Sequence, residues 1–170
     1  MNPFATRAID WTRSQLSAAQ SAFLADLPMT ADLPDLLLVH ASADRPRAWH
    51  YITDAAAAEA SFRATRSWLI LAGHVHLPLL VSRGATGIPR AEPIGTGTPR
   101  PLSRDRRWLA VVGSVGQPRD GDPAAGYGIF DDADDTLTFL KVPYDAAATA
   151  EKIRAAGLPG FLADRLLDGT

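Results

Sequence analysis

Two short apolar runs constrain the fold of this chain more than any other feature of its sequence. "DLLLVH" at 35–40 is almost wholly apolar and ends in a histidine, and "SWLILAG" at 67–73 has the same character. Such runs, without polar alternation, are typical of strands that are buried on both faces of a sheet. The alanine-rich segment Ala55–Arg66 between them predicts a helix. We therefore expect a mixed α/β protein.

The ends of the chain carry helical patterns. Apolar residues recur near helical spacing at Ile9, Leu16, Phe23 and Leu27. They predict one amphipathic helix, with Asn2 as its cap, Pro3 as its first residue and its end at Pro28. The tail predicts two helices, over 145–156 and 159–167, which Gly157 and Gly169 close.

The second half of the chain predicts further strands. "RWLAVVGS" predicts a strand that enters a turn, and "GYGIFDDADDTLTFLKV" predicts an antiparallel hairpin around an acidic turn. The segment Arg83–Arg106 is rich in Gly, Pro and Arg, which favours an exposed connection with a short strand near Glu92–Gly95. The cluster of Arg100, Arg104, Arg106 and Arg107 is most simply a solvated loop.

Composition limits the classes of function. With 170 residues, 46 % of them hydrophobic, the chain predicts a single domain over 1–170. A formal charge of −2 and a pI near 6.0 favour neither nucleic acid nor a membrane surface as a partner. The absence of cysteine excludes thiolate ligands and nucleophiles. The start resembles no signal peptide and no run is long enough to span a bilayer, so we expect a cytoplasmic protein.

The stretch "LAGHVHLPLL" at 71–80 places two of the four histidines one residue apart after an apolar run. On extended backbone, His74 and His76 would point to the same face with Cα atoms ~6.5 Å apart, and Gly73 would allow a tight turn. His40 ends another strand, and sites in open α/β sheets form at the carboxyl ends of strands. These three imidazoles are candidate metal ligands. The alternative is that each is a surface or hydrogen-bonded histidine, as we expect for His50.

A second unusual stretch, "GSVGQPRDGDP" at 113–123, follows the strand "RWLAVV". Its glycines would let backbone amides approach an anion, and Arg119 could grip a phosphate oxygen in a bidentate manner. The alternative is a well-formed turn in which Asp120 and Asp122 only cap backbone groups.

Together these stretches resemble the calcineurin-like metallophosphoesterase superfamily, and within it the small bacterial and archaeal branch of diadenosine-tetraphosphatase-like proteins and predicted phosphodiesterases. The resemblance covers nearly the whole chain. It rests on the segments "NPFATRAIDWTRSQL", "LVHAS", "GHVHLP", "GSVGQPRDGDP" and "VPYDAAATAEKIRAAGLP". The segment "GHVHLP" matches the Gly-His-x-His element of the superfamily, and "GSVGQPR" points to the branch.

The resemblance implies an αββα sandwich with two divalent cations, and hydrolysis of a phosphomonoester or phosphodiester by a metal-activated water. It implies that His40 and His74 bind one metal and His76 the other, with Arg119 and Ser114 near the phosphate. Mn, Fe, Co, Ni and Zn all suit such ligands. The implied substrate is a phosphorylated small molecule or a nucleotide.

Three motifs of the superfamily, Asp-x-His, Gly-Asp and Gly-Asn-His, precede the first helix in its members and do not occur in that position here. The chain therefore resembles the carboxy-terminal part of the fold, without the first strands and the carboxylate ligands. Such a part would leave apolar sheet surface and a free strand edge, which predicts self-association or a complementing chain.

Three functions remain open from sequence. The first is a phosphoesterase that another chain or an upstream region completes. The second is a noncatalytic remnant or binding module of the same fold. The third is a single-metal hydrolase with three histidines, which lacks an evident carboxylate as general base.

Overall fold

A computed structural model describes residues 3–170, and all statements of structure concern that part of the chain. Its elements, in chain order, are α1 (Pro3–Gln15), α2 (Ala18–Asp26), β1 (Thr30–Leu33), β2 (Leu36–Val39), α3 (Ala55–Ala64), β3 (Leu69–Ala72), β4 (Leu79–Arg83), β5 (Pro89–Glu92), β6 (Arg100–Pro101), β7 (Arg107–Val111), β8 (Ala125–Asp131), β9 (Thr136–Val142), α4 (Ala146–Ala155) and α5 (Gly160–Asp168). Among these residues, no helix is both long and apolar enough to cross a bilayer.

The strands form two sheets. The larger has six strands in the order β1-β2-β3-β7-β4-β5, and the smaller has three in the order β6-β9-β8. Strands β2, β3 and β7 run parallel, whereas β1, β4 and β5 pair antiparallel at the two sides. The apolar runs therefore occupy the centre of the larger sheet, as the sequence predicts, and the expected mixed α/β fold is confirmed.

The core has two parts, one on each face of the larger sheet. On one face, Ile70 and Leu109 pack against Phe62 of α3. On the other, Leu69 and Trp108 lie in a cluster that also holds residues of β9, the central strand of the smaller sheet. Neighbouring residues of β3 thus alternate between the two clusters, because successive side chains of a strand point to opposite faces. The centre of the sheet is covered on both faces, and apolar exposure lies at its edge strand β1, where Leu33 is half-exposed.

The amino-terminal helical pattern forms two helices rather than the single helix predicted. Ser17 interrupts it, because its hydroxyl accepts the amide of Gln20 while the Gln20 side chain accepts the amide of Ser17. Such a capping box is a signature of a helix start, and α2 begins directly after Ser17. Neither helix buries a residue. The predicted cap at Asn2 lies outside the described residues.

The predictions for the middle of the chain are partly wrong. The short strand lies at Pro89–Glu92 rather than Glu92–Gly95, and it pairs with β4, which the sequence analysis did not identify. Strand β1, also missed, pairs with β2 through a tight connection at Asp35, whose φ is 62°. Strands β1 and β4 each pair with a buried strand, and β6, which the sequence also did not predict, pairs with β9. The hairpin β8–β9 and the two carboxy-terminal helices are confirmed.

The four clustered arginines are not simply solvated, which corrects the sequence interpretation. Arg100 and Arg106 both pair with the Glu92 carboxylate, at 2.9 and 3.6 Å. Arg107 donates to the carbonyl oxygens of Phe62, Thr65 and Ser67 at 2.7–2.9 Å. Arg104 lies 3.8 Å above the Trp68 ring and pairs with carboxylates of the Asp35 and Asp135 side chains. These residues fasten the amino ends of the parallel strands to the segments around them.

Candidate metal and phosphate site

The three candidate histidines lie at the carboxyl ends of neighbouring parallel strands. His40 follows β2 directly, and His74 and His76 follow β3 after Gly73. The turn 113–123 follows β7, the next strand of the same sheet. The amide of Gly73 donates to the carbonyl of His40 at 2.9 Å, which holds the two histidine segments together. The predicted meeting of these residues at one sheet edge is present in the structure.

The backbone at the histidine pair differs from the extended conformation that the sequence analysis assumed. His74 and His76 have φ values of 68° and 65°, in the left-handed region. Gly73 has no positive φ, and an added Cβ there would make an ordinary 3.5 Å contact. The two histidines, rather than the glycine, therefore adopt the left-handed conformation. Non-glycine residues in this region are strained, and such strain is concentrated at functional sites.

His40 and His74 form a close imidazole pair. Nε2 of His40 lies 3.2 Å from Nδ1 of His74. Two nitrogens that bind one tetrahedral ion at about 2.05 Å lie about 3.3 Å apart. The separation fits a shared divalent cation, and it equally fits an N–H···N hydrogen bond in its absence. With a shared cation or with a hydrogen bond, the fold holds the two rings at this distance without a carboxylate.

His76 presents a different environment. Its Nδ1 is buried and has no hydrogen-bond partner among residues 3–170. A buried polar nitrogen without a partner is unfavourable by about 1–3 kcal/mol, and a ligand that accepts its lone pair would remove that penalty. The amide of Arg119 donates to the His76 carbonyl at 3.1 Å, so the turn 113–123 is fastened to this histidine.

The pKa values of His74 and His76 both lie below the usual 6.5, which favours the neutral imidazole. Burial lowers the pKa of His74, and the nearby His40 and Arg119 lower it further, against the Trp49 carbonyl, which raises it. Burial also lowers the pKa of His76, with the positive charge of Arg119 as the second cause and the Gln117 carbonyl opposing both. Neutral imidazole is the form that binds metal ions.

Two exposed aromatic residues beside the imidazole pair were missed by the sequence analysis. The Tyr51 ring stacks on His74 with centroids 4.3 Å apart, and Trp49 lies 5.1 Å from His40 and 5.6 Å from His74. Trp49 is 46 % and Tyr51 is 56 % exposed. The available signal was the unusual density of aromatic residues in "RAWHYITD", which lies directly before α3. They confine one side of the candidate site.

The turn 113–123 combines structural and unsatisfied polar groups. Ser114 Oγ accepts the amide of Gln117, Asp122 accepts the amide of Ala124, and Asp120 pairs with Lys141. The capping role proposed as the alternative is therefore correct for Asp122, whereas Asp120 forms an ion pair. Arg119, by contrast, keeps a buried nitrogen without a partner among residues 3–170.

Arg119 donates to Gln117 Oε1 at 3.1 Å, but its buried Nε has no partner among residues 3–170. The same residues contain no group of three or more His, Asp or Glu side chains placed to hold one metal ion. His50 stands apart and contacts Asp44 at 3.3 Å. The arrangement can offer two imidazoles to one cation, a third imidazole to another, and an arginine to an anion.

Comparisons with known proteins place this geometry in a family. A crystal structure of a metallophosphoesterase from Sphaerobacter thermophilus superimposes with a TM-score of 0.87 and 37% sequence identity, over 100% of this chain and 69% of that chain. The chain belongs to the metallophosphoesterase family. An uncharacterized protein of Methanocaldococcus jannaschii is 30% identical over 99% of this chain and 67% of its own length.

A hypothetical protein of Pyrococcus horikoshii OT3 shares the fold, with a TM-score of 0.66 and 19% identity over 92% of this chain and 57% of that chain. No protein-family model matches the chain. The metallophosphoesterase likeness supports a phosphoesterase-type function and the use of divalent metal ions. The chain spans about two thirds of the length of the first two relatives.

Proposed function

We propose that the chain takes part in the metal-dependent hydrolysis of phosphate esters, and that it supplies the imidazole ligands and the arginine of the site. The observation that carries this proposal is the 3.2 Å separation of His40 Nε2 and His74 Nδ1 at the carboxyl end of the sheet. That separation suits two ligands of one cation. Membership of the metallophosphoesterase family supports the same chemistry.

In this proposal His40 and His74 hold one divalent cation and His76 holds a second. The unpartnered, buried Nδ1 of His76 supports its role. Nitrogen ligands suit Mn, Fe, Co, Ni and Zn. When bound, the ions supply Lewis-acid activation of the phosphate and of the attacking water.

The remaining residues act on the substrate. Arg119, which has a free Nε beside the His76 segment, donates to phosphate oxygens and offsets their negative charge. Ser114 lies near the phosphate but does not contact it. Its hydroxyl accepts the Gln117 amide and so stabilises the turn. Trp49 and Tyr51 screen the imidazole pair from solvent on one side. The substrate is a phosphorylated small molecule or a nucleotide.

The carboxylate ligands that the family pattern expects come, we propose, from a complementing chain, a second copy or an upstream region. Residues 3–170 hold no group of three metal-binding side chains, which supports such sharing. The same observation favours a second candidate function, a noncatalytic binding module of this fold. The phosphoesterase would hydrolyse phosphate esters, and the binding module would not.

The test is the hydrolysis of bis-p-nitrophenyl phosphate and p-nitrophenyl phosphate with added manganese. Its variants are His74→Ala and, as a matched control, His50→Ala, which removes a histidine outside the pair. The proposal expects metal-dependent turnover that His74→Ala abolishes and His50→Ala retains. No turnover in the wild type, alone or at concentrations that favour self-association, supports the binding module. Equal turnover in both variants contradicts the proposed ligands.

A further inference from the structure

A cavity between the terminal helices is lined by two arginines and by Tyr51, which stacks on His74. Its volume is about 800 Å³. Apolar walls come from α1, α4, α5 and the connection between the last two, and include Ile9, Ile153, Leu158 and Leu162. Arg119 and Arg165 supply charge. Small-molecule sites have this size and this combination of apolar walls with a few convergent polar groups.

Both guanidinium groups line the cavity, and no Asp or Glu is among its lining residues. Burial lowers the pKa of Arg165, and the positive charge of Arg119 lowers it further. Neither forms an ion pair with an Asp or Glu side chain of residues 3–170. Arg165 donates through Nε to the Thr170 oxygen, and its guanidinium lies 5.0 Å from the centroid of the Phe161 ring. A buried polar Nε of Arg119 is also unpartnered.

The fold fixes this juxtaposition rather than leaving it to flexible side chains. The amide of Gly121 donates to the Gly169 carbonyl at 2.9 Å, which ties the turn that carries Arg119 to the end of the helix that carries Arg165. Gly169 has a φ of 66°, and a Cβ there would lie 2.6 Å from the Asp122 amide nitrogen. Only glycine permits this approach. An anion bound between the two guanidinium groups would offset their mutual repulsion.

The cavity adjoins the candidate metal site through two of its lining residues, although no histidine lines it. Tyr51 lines the cavity and stacks on His74 at a centroid distance of 4.3 Å. Arg119 lines it as well, and its amide contacts the His76 carbonyl. An acidic group at the arginines would therefore lie next to the histidines, and whatever it carries would extend between the helices.

We infer that the cavity binds an organic phosphate with an apolar body: the phosphate lies against Arg119 and Arg165, and an aromatic or aliphatic group fills the space between α1, α4 and α5. As a statement about substrate, this rests on the proposed phosphoesterase function. It names the substrate class as esters of apolar alcohols or phenols rather than of polar sugars. As a statement about binding, it stands on the cavity alone.

The experiment is calorimetric titration of the metal-free protein, in the presence of EDTA, with 1-naphthyl phosphate, 1-naphthol, inorganic phosphate and 1-naphthoate. We expect 1-naphthyl phosphate to bind at least about tenfold more tightly than phosphate or 1-naphthol, because both halves of the site contribute. The two anionic arms distinguish a phosphate from a carboxylate head, and 1-naphthoate is expected to bind less tightly because it carries one charge for two arginines.

Variants separate the two halves of the site. Arg165→Gln and Arg119→Gln should each weaken 1-naphthyl phosphate binding at least about tenfold. Arg66→Gln, an exposed arginine outside the cavity, should leave it unchanged. Thr149→Trp fills the space on α4 and should remove the advantage of 1-naphthyl phosphate over phosphate. Because Arg165 also contacts Thr170, thermal unfolding checks each variant, and Arg119→Gln provides an independent removal of charge.

The inference is overturned if 1-naphthyl phosphate binds no better than phosphate or 1-naphthol, or if both cavity arginine variants bind it as the Arg66 variant does. Tighter binding of 1-naphthoate would overturn the phosphate assignment. The proposed function fails separately. Arginine-dependent binding without hydrolysis of any ester would support the cavity inference and reject the phosphoesterase function. Hydrolysis without arginine-dependent binding would support the phosphoesterase function and reject the cavity inference.

Discussion

The amino and carboxyl ends of the parallel strands differ in how their charged and polar side chains are paired. At the amino ends of the parallel strands, Arg107 donates to three carbonyls, and Arg104 is matched by two carboxylates. At the carboxyl ends, a buried nitrogen of His76 and one of Arg119 have no partner within residues 3–170. The amino end pairs these two arginines within the fold, although the buried Nε of Arg106 there also has no hydrogen-bond partner among residues 3–170 and lies 3.5 Å from the Asp105 carboxylate. At the carboxyl end, the unpartnered nitrogens belong to the candidate metal ligand and the candidate phosphate-binding arginine.

This difference distinguishes the residues that stabilise the fold from the residues that bind a ligand. Buried polar groups in native proteins normally have partners, so an unmatched group needs an explanation outside the fold. The left-handed backbone of His74 and His76 lies at the same end as the unmatched groups. Removal of side chains should therefore lower stability at the amino end, whereas at the carboxyl end it should remove binding at little cost to stability.

The largest effect is expected from Arg107→Ala. The change leaves the carbonyls of Phe62, Thr65 and Ser67 without their donor, which should lower the free energy of unfolding by about 3 kcal/mol. Urea unfolding measures it. Arg66→Ala, an exposed arginine just before β3, is the control and should change stability by less than about 0.5 kcal/mol. Equal effects of the two substitutions would remove the distinction between the ends.

A smaller effect should appear at His74, where the backbone is strained. At a φ of 68°, alanine is disfavoured and glycine is not, so His74→Gly should be more stable than His74→Ala by about 1 kcal/mol. His50, which lies outside the left-handed set, provides the matched pair, and there the glycine variant should be the less stable of the two. The same order of stability at both positions would contradict the strain assigned to His74.

The smallest effect concerns Asp135. Its hydrogen bond with Arg104 is the main cause that holds the pKa of this carboxyl below 3.8. Since the folded state holds this proton more weakly than the unfolded chain, the contribution is present above 3.8 and lost as pH falls through the lowered pKa. Asp135→Asn should therefore be destabilising in urea unfolding at about pH 6, and its effect should shrink as the pH falls below 3.8. A difference that persists in acid would point to another cause.

Much of the fold was accessible from sequence because the central strands are apolar throughout, and their pattern needs no tertiary information. The strand at Pro89–Glu92 was misplaced, because its polar residues form a strand only by pairing with β4. The arginines at the amino end were misjudged, since sequence does not show which carbonyls a guanidinium will meet.

The three histidines and Arg119 were identified because "GHVHLP" and "GSVGQPR" are distinctive stretches. Their backbone was not predicted, because the left-handed conformation of two histidines has no local signature such as glycine. Arg165 was missed for a different reason: it reaches the site only because Gly169 lets α5 approach the turn 113–123. Sequence locates the chemistry of this site better than its shape.

The most direct test of the account is calorimetric titration of zinc into the wild type and the variants His40→Ala, His74→Ala and His50→Ala. If the carboxyl end is built to share a cation between His40 and His74, each of the first two substitutions should abolish the same binding event, and His50→Ala should leave it intact. Zinc affinity that is unchanged by the loss of either His40 or His74 would contradict the account.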